Sequence, residues 1–246
     1  MSFENRVAVV IGASGVVGSG IVRKYLDAGA TVVGVSRASS KLDQLKQQLK
    51  IQGSERFVPV VGDFKDEASA AEAKKAITAA LGGKPIDHIV SVQGFVSYGK
   101  APTETPAQQL KDALDDGLFN NLRAAQAFVP ELKGREGSSF TLVSGGLAHF
   151  PPPNVSLWLA TIKNASINAL NHALAAETAN DKVRVNTICI HFGVAPAGGD
   201  KNQFGMATEA DTMRLGPAFL GLARGTQKGQ LICLNTWADA DKLSGS

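Results

Sequence analysis

The 246-residue chain is poor in cysteine, in tyrosine and in net charge, and each shortage excludes something. Its two cysteines, Cys189 and Cys233, lie inside apolar runs that read as strands, with no C-x-x-C pair and no His/Cys cluster at ligand spacing. They read as buried thiols of a reducing compartment, so neither a disulfide nor a metal site is expected. The formal charge is +3, with 19% charged residues spread evenly along the chain. That balance offers no footprint for nucleic acid or for an anionic membrane surface. No window approaches about 18 uninterrupted apolar residues, and no apolar run follows a basic start. The expectation is a cytoplasmic protein that neither spans nor binds a membrane.

Hydrophobic residues, at 44%, are plentiful enough for a large core. Strand-like and helix-like segments alternate throughout. Val7–Ile11, Thr31–Ser36, Phe57–Val61 and segments 86–92, 139–144, 183–191 and 230–235 read as strands. Segments 16–28, 41–50, 67–81, 106–132, 156–179 and 207–224 read as helices. Near-continuous Val/Ile runs mark strands buried on both faces, hence a parallel sheet between two helical layers. About seven strands and six helices suit one doubly wound α/β domain of Rossmann type over residues 1–246, with 238–246 as a polar tail that frays or packs on a partner.

The most informative stretch is Gly12-Ala-Ser-Gly15-Val-Val-Gly18, directly between the first strand and the first helix. Gly12 permits the sharp turn, Gly15 lets a diphosphate approach the backbone, and Gly18 lets the helix pack close to the sheet. The helix start then attracts phosphate through its free N–H groups and its dipole. Gly12, Ser14, Gly15, Val17 and Gly18 are therefore expected dinucleotide contacts. The end of the second strand selects the cofactor. An NAD site places a carboxylate there for the ribose 2′-hydroxyl. This chain has Ser36 and Arg37, with Lys41 close behind. A guanidinium pairs with a 2′-phosphate that a carboxylate would repel, so NADP(H) is expected.

These residues, with others downstream, resemble the short-chain dehydrogenase/reductase family over nearly the whole chain. Asp63-Phe64 after the third strand is similar to the family's adenine-contacting acid, Val183-Arg-Val-Asn186 to the entry to its sixth strand, and Gly229-Gln-Leu-Ile-Cys-Leu234 to its last strand. Residues 126–132 are similar to the end of its long interface helix. The glycine spacing departs slightly, because the commoner family pattern has its middle glycine at Val16. The resemblance implies four catalytic residues: Asn for a water relay, Ser to orient a carbonyl, Tyr as proton donor, and Lys to lower the tyrosine pKa and hold the ribose. Lys163 stands in register. The tyrosine position is Leu159, the serine position Gly145 beside Ser144, and the asparagine position Gly117 near Asn120 and Asn121. Val92-Gln93-Gly94 replaces the Asn-Ala-Gly turn, leaving Gln93 and Gly94 as expected cofactor contacts, and Ile190-His191 replaces Pro-Gly.

The loss of tyrosine matters energetically. Hydride addition to a ketone leaves an alkoxide whose protonation deficit at neutral pH is roughly 12 kcal/mol, about nine pK units. Leu159 has no proton to give. His149 and His191, both expected on the rim where strands end, are the substitute candidates, with Ser144 as a further catalytic candidate and Tyr98 in a glycine-bounded loop behind them. His88, His172 and Tyr25 are assigned to structure. Phe150, Trp158 and Leu159, flanking three stiff prolines, suggest an apolar wall and an apolar small-molecule substrate. The short Gly/Ala/Pro-rich segment 193–206 reads as a mobile lid. The expected function is an atypical NADP(H)-dependent oxidoreductase with a non-standard donor, or an acid-free hydride transfer to an iminium carbon. The alternatives are a non-redox isomerase or cyclase using the cofactor-bound pocket as a template, and a catalytically silent NADP(H) sensor or scaffold. The small residues Ala165, Ser166, Ala169, Ala173, Ala175 and Ala176 on segment 156–179 permit close helix approach and suggest a homodimer or homotetramer.

Overall fold

A computed structural model describes residues 3–194 and 212–245. Among them, seven strands form one parallel sheet in the order β3-β2-β1-β4-β5-β6-β7. The strands are β1 (Val7–Ile11), β2 (Thr31–Ser36), β3 (Phe57–Val61), β4 (His88–Ser91), β5 (Ser139–Gly145), β6 (Arg184–Ile190) and β7 (Leu231–Leu234). Strand pleating sends alternate side chains to opposite faces. Ala8, Val10, Val32, Val90, Ile188 and Leu234 pack with α1 (Val16–Asp27), α2 (Ser39–Leu49), α7 (Thr212–Arg224) and α8 (Trp237–Ser244). Val9, Val33, Ile89, Phe140, Leu142 and Val185 pack with α3 (Glu67–Leu81), α5 (Asn120–Leu132) and α6 (Trp158–Glu177). The doubly wound architecture expected from the Val/Ile runs is the one observed.

Three boundaries differ from the sequence reading. Segment 86–92 is a strand over His88–Ser91; Asp87, just before it, bonds to Val7 and Ser139 through its backbone, and its carboxylate accepts from the Val7 N–H, Arg6 and Arg135. Segment 106–132 is helical from α4 (Ala107–Leu114) through α5, but a wide π turn at Asp115–Phe119 interrupts it. Residues expected to fray at the end of the chain instead form α8, whose Thr236–Asp239 capping box satisfies the first N–H groups. Helix α7 begins, within the described residues, at Thr212; the start expected for it at 207, and the lid expected over 195–206, lie outside them.

Helices α1 and α7 touch backbone to backbone. A Cβ on Gly20 would sit 2.1 Å from the Thr212 carbonyl oxygen, and the Thr212 hydroxyl donates to the Val16 carbonyl. This contact pins the first turn of α1 against the sheet.

Of the three residues expected to be structural, Tyr25 and His88 are, and His172 is not, because its face of α6 points outward. Tyr25 is buried and its hydroxyl donates to the Phe219 carbonyl. His88 is buried between Phe3 and Tyr25 and shares a hydrogen bond with Ser139 Oγ at 2.9 Å. His172 is exposed. Burial pushes the His88 imidazole down to about 4, against the opposing pull of Asp87. The unfolded chain takes up that proton near the ordinary histidine value, and the folded one resists it. This contribution to stability is therefore complete above about 6.5 and is lost as pH falls toward 4; it amounts to about 3 kcal/mol. In urea unfolding at about pH 7.5 and about pH 5, the native chain should lose stability on acidification. His88→Gln should lose distinctly less across the same interval, and an equal loss in both would remove His88 as the cause.

Candidate functional site

The sequence-expected phosphate turn is built as its glycines require. Gly12 has φ +85°, and a Cβ there would lie 2.1 Å from the Val92 carbonyl oxygen. A Cβ on Gly18 would lie 2.2 Å from the Gly12 oxygen, so any larger residue lifts α1 off the turn. Gly15 is the N-cap of α1, with no side-chain cap and no acidic residue in the first turn. The first N–H groups of α1 therefore keep their capacity for an anion, and the backbone around them is bare enough for a diphosphate to reach them. Ser14 Oγ is 2.8 Å from Ser36 Oγ, which ties the turn to the end of β2. Val17 packs partly against the core.

Beyond that turn, Arg37 and Asp63 line a cleft of about 320 Å³ together with Lys65, Ser69 and Glu72. Lys65 is a second cation that the sequence reading missed; its signal was its position two residues after Asp63. Arg37 lies 5.2 Å over the Phe95 ring, which restrains its guanidinium at the cleft mouth. Asp63 accepts from the Phe64 N–H at 2.8 Å. The Phe64 ring itself is fully buried in the core beside Phe128, so only its backbone can meet a ligand.

Lys163 is the centre of a second group. It is 4% exposed, and its aliphatic stem runs across the π turn. A Cβ on Gly117 would lie 2.3 Å from Lys163 Cδ, so glycine at the position of the family's asparagine makes room for the lysine stem. Asn121 donates to the Gly117 carbonyl at 2.7 Å and accepts from Ser91, while Asn120 donates to the Asp116 carbonyl. These two amides support the turn from the inside. Burial lowers the Lys163 pKa, and Asp116, 3.9 Å from Nζ, opposes the shift. Asp116 also accepts from the Phe95 N–H at 2.7 Å, which ties the loop after β4 to the π turn. In that loop Gly94, at φ +105°, lies beside Lys163 Nζ. Gln93 points inward, donating to Ser91 Oγ and the Asn120 carbonyl.

At the tyrosine position Leu159 is buried and lines an open cleft of about 290 Å³ with Ser97, Tyr98, Gln109, Asp112, Ala113 and Asp116. This lining is more polar than the expected apolar wall. Trp158 is turned away to the Lys100 carbonyl, and Phe150 stands edge-on to His191, 5.6 Å between centroids. At the serine position, a Cβ on Gly145 would lie 2.9 Å from Asn164 Nδ2, so that space belongs to α6. The neighbouring candidate, Ser144, is buried and donates to Asn168 Oδ1 at 2.7 Å. The structure gives it a supporting place.

A third group was not legible in the sequence, where no His/Cys cluster stands at ligand spacing. The fold brings one together: His149, His191 and Cys233 place ligand-type atoms within 4.8 Å of one another, at the ends of β5, β6 and β7. The imidazoles stack at 5.1 Å. Both His191 ring nitrogens are buried without a partner at good hydrogen-bond geometry. Burial lowers the His191 pKa, the neighbouring His149 lowers it further, and Asn235 partly offsets both. Cys233 is half-buried, short of the full burial expected, and stands in register with Cys189 on β6. Burial pushes the Cys189 thiol up to about 11.

The sheet order, the glycine turn and the ring of polar groups along one sheet edge define a doubly wound, Rossmann-type protein. Residues 6–202 match the family model for short chain dehydrogenases, and the chain belongs to that family, whose oxidoreductases use NAD or NADP. It is 28% identical over 228 residues to a cis-2,3-dihydrobiphenyl-2,3-diol dehydrogenase from Pseudomonas sp. (strain KKS102), covering 91% of this chain and 72% of that one. It is 25% identical to a short chain dehydrogenase from Pseudocercospora fijiensis, covering 71% of this chain but spanning only 55% of that relative's length. Among solved structures, a short chain oxidoreductase from Pseudomonas aeruginosa PAO1 described as containing an atypical catalytic center matches with TM-score 0.78 at 23% identity, over 95% and 97% of the two chains. No helix among the described residues is long and apolar enough to cross a membrane.

The contact between Gly117 and the Lys163 stem is testable without any ligand. Gly117→Ala should overpack the π turn and lower stability by about 1–3 kcal/mol. In a Lys163→Ala background the same substitution should cost little, because the clashing stem is gone. Additive costs in thermal unfolding would show that the two residues do not share this space.

Proposed function

We propose that the chain binds NADP(H) and transfers hydride to or from a small molecule, in a reducing cytoplasm, with an electrophile other than tyrosine. The observation that carries this reading is the uncapped start of α1 next to a cleft where a cation, Arg37, and not a carboxylate follows β2, with Lys65 beside it and Asp63 and Glu72 on the far wall after β3. The first N–H groups of α1, with Gly12, Ser14 and Gly15, would hold the diphosphate. Arg37 would grip the 2′-phosphate, with Lys65 adding positive potential, and Asp63 would accept from the adenine amino group. Gln93 and Gly94 would border the ribose, and Lys163 would donate to its hydroxyls.

When bound, the cofactor supplies or accepts the hydride. The protein must then manage charge on the substrate oxygen, and Leu159 contributes only shape to that task. The polar side chains at the ends of β5 and β6, His149 and His191, are the groups we assign to it. Asn168 supports this arrangement: its Oδ1 accepts from Ser144, so its amide nitrogen donates to His149 Nε2, 3.2 Å away. Phe150 offers an exposed apolar ring, and the polar lining beside Leu159 suits hydrogen-bonding groups on the same small molecule. The outward row Ala165, Ala169, Ala173 and Ala176 on α6 is exposed and free of bulky side chains, which suits pairing with a second copy of the chain.

Calorimetry with NADP(H) and NAD(H) tests the binding half of the reading. Arg37→Asp should weaken NADP(H) by tenfold or more, about 1.4 kcal/mol, while changing NAD(H) little. Equal losses for both would withdraw the NADP preference, and no heat from either would withdraw cofactor binding. Lys163→Met should abolish turnover and weaken both cofactors. Turnover without any change in nicotinamide oxidation state would assign the template-type isomerase or cyclase instead.

A further inference from the structure

We propose that His149, His191 and Cys233 form a binding site for a divalent transition metal of the zinc class, with one coordination position left open at the sheet edge. The inference rests on the functional reading above only for the ion's use; the site itself stands on its own geometry.

Three observations carry it. The first is spacing. Zinc takes imidazole nitrogen at about 2.0–2.1 Å and thiolate at about 2.3 Å in tetrahedral geometry, which puts ligand nitrogen and sulfur about 3.6 Å apart. His149 Nε2 and Cys233 Sγ are 3.8 Å apart, and all three residues bring a ligand atom within 4.8 Å of the others. Closing onto an ion takes side-chain shifts of an ångström or less.

The second is the state of His191. Both of its ring nitrogens are out of water, and Asn235 approaches the ring without good hydrogen-bond geometry, so neither nitrogen is well satisfied. A Cβ on Gly146 would lie 2.8 Å from His191 Cγ, so glycine there leaves room for the ring against the loop that carries His149. An ion would give one of those nitrogens its partner.

The third is the tautomer of His149. Asn168 donates to His149 Nε2, which fixes the proton on Nδ1 and keeps Nε2 unprotonated; the Nε2 lone pair lies in that hydrogen bond, and an ion bound there would displace the amide. Asn168 is itself held by Ser144 at 2.7 Å, and Ser144 lies in the same cross-strand row as Cys189 and Cys233. Cys189 is excluded as a ligand: it is fully buried and hydrogen-bonded with Ser144.

Two imidazoles and one thiolate give the ion three protein ligands, the arrangement that leaves a fourth position for water or a substrate oxygen. An ion there would polarise that oxygen as a Lewis acid. This chain would then need no tyrosine to offset charge at the substrate.

The test uses the whole chain, tag removed, metal-stripped and kept reduced, titrated with Co²⁺ and competed with Zn²⁺. One equivalent of cobalt should bind, giving visible bands of a tetrahedral site and a near-ultraviolet thiolate-to-metal band that zinc abolishes. Cys233→Ser should remove the thiolate band. His191→Ala should weaken binding by more than about 100-fold, beyond the effect of an outer contact, whereas Asn168→Ala, which frees the His149 Nε2 lone pair, should not weaken it. Cys189→Ser should leave the band in place, with circular dichroism confirming the fold of each variant. Absence of saturable binding, or a thiolate band that survives Cys233→Ser and is lost in Cys189→Ser, would overturn the site. Calorimetry with NADP(H) on the same samples separates the two readings: metal binding without cofactor binding sinks the function and spares the site, and the converse sinks the site alone.

Discussion

Parallel strand pairing forces every strand of this sheet to end on the same edge. Each crossover helix must return the chain to the opposite edge before the next strand can begin, so the loops after β1, β2, β4, β5 and β6 meet whatever their sequences say. All the chemistry of the molecule is gathered by that one constraint. The glycine turn follows β1, Arg37 follows β2, Gly94 follows β4, His149 follows β5 and His191 follows β6. The sheet is held from both sides by alternate rows of Val, Ile and Leu, and their burial is what makes the edge rigid enough to fix these groups relative to one another.

Along that edge, the positions that the resemblance would give to catalytic side chains are filled in other ways. Gly117 gives its space to the stem of Lys163, and Gly145 gives its space to Asn164. Leu159 fills the tyrosine position with a buried apolar side chain that packs toward Gly99 and Tyr98. These changes are mutually consistent. With glycine at 117 and 145, helix α6 and its lysine sit close against their neighbours. Asn168, on the same helix, joins Ser144 to His149 at the neighbouring strand ends.

The fold was legible because its signals are local. Val/Ile runs of five or so residues, broken by glycine turns and amphipathic stretches, specify a buried parallel sheet with little help from distant contacts. The phosphate turn was legible for the same reason: Gly12, Gly15 and Gly18 fall within seven consecutive residues. Boundaries were less so. The π turn packs Gly117 against the stem of Lys163 on another helix, a contact between residues that local patterning cannot pair. Ser144 and Phe64 looked like site residues by position along the chain, but the pleat of β5 turned the first toward Asn168, and the loop after β3 turned the second into the core.

The sequence by itself determined the architecture, the place of the phosphate turn, the cation at the end of β2 and the absence of a tyrosine at position 159. Those are properties of single segments, written in spacing and residue type. The tertiary structure alone decided which distant residues share a site. His149, His191 and Cys233 are separated by some forty residues at each step, and no periodicity links them. They meet because β5, β6 and β7 are hydrogen-bonded neighbours in one register, and register is settled by the packing of the whole sheet.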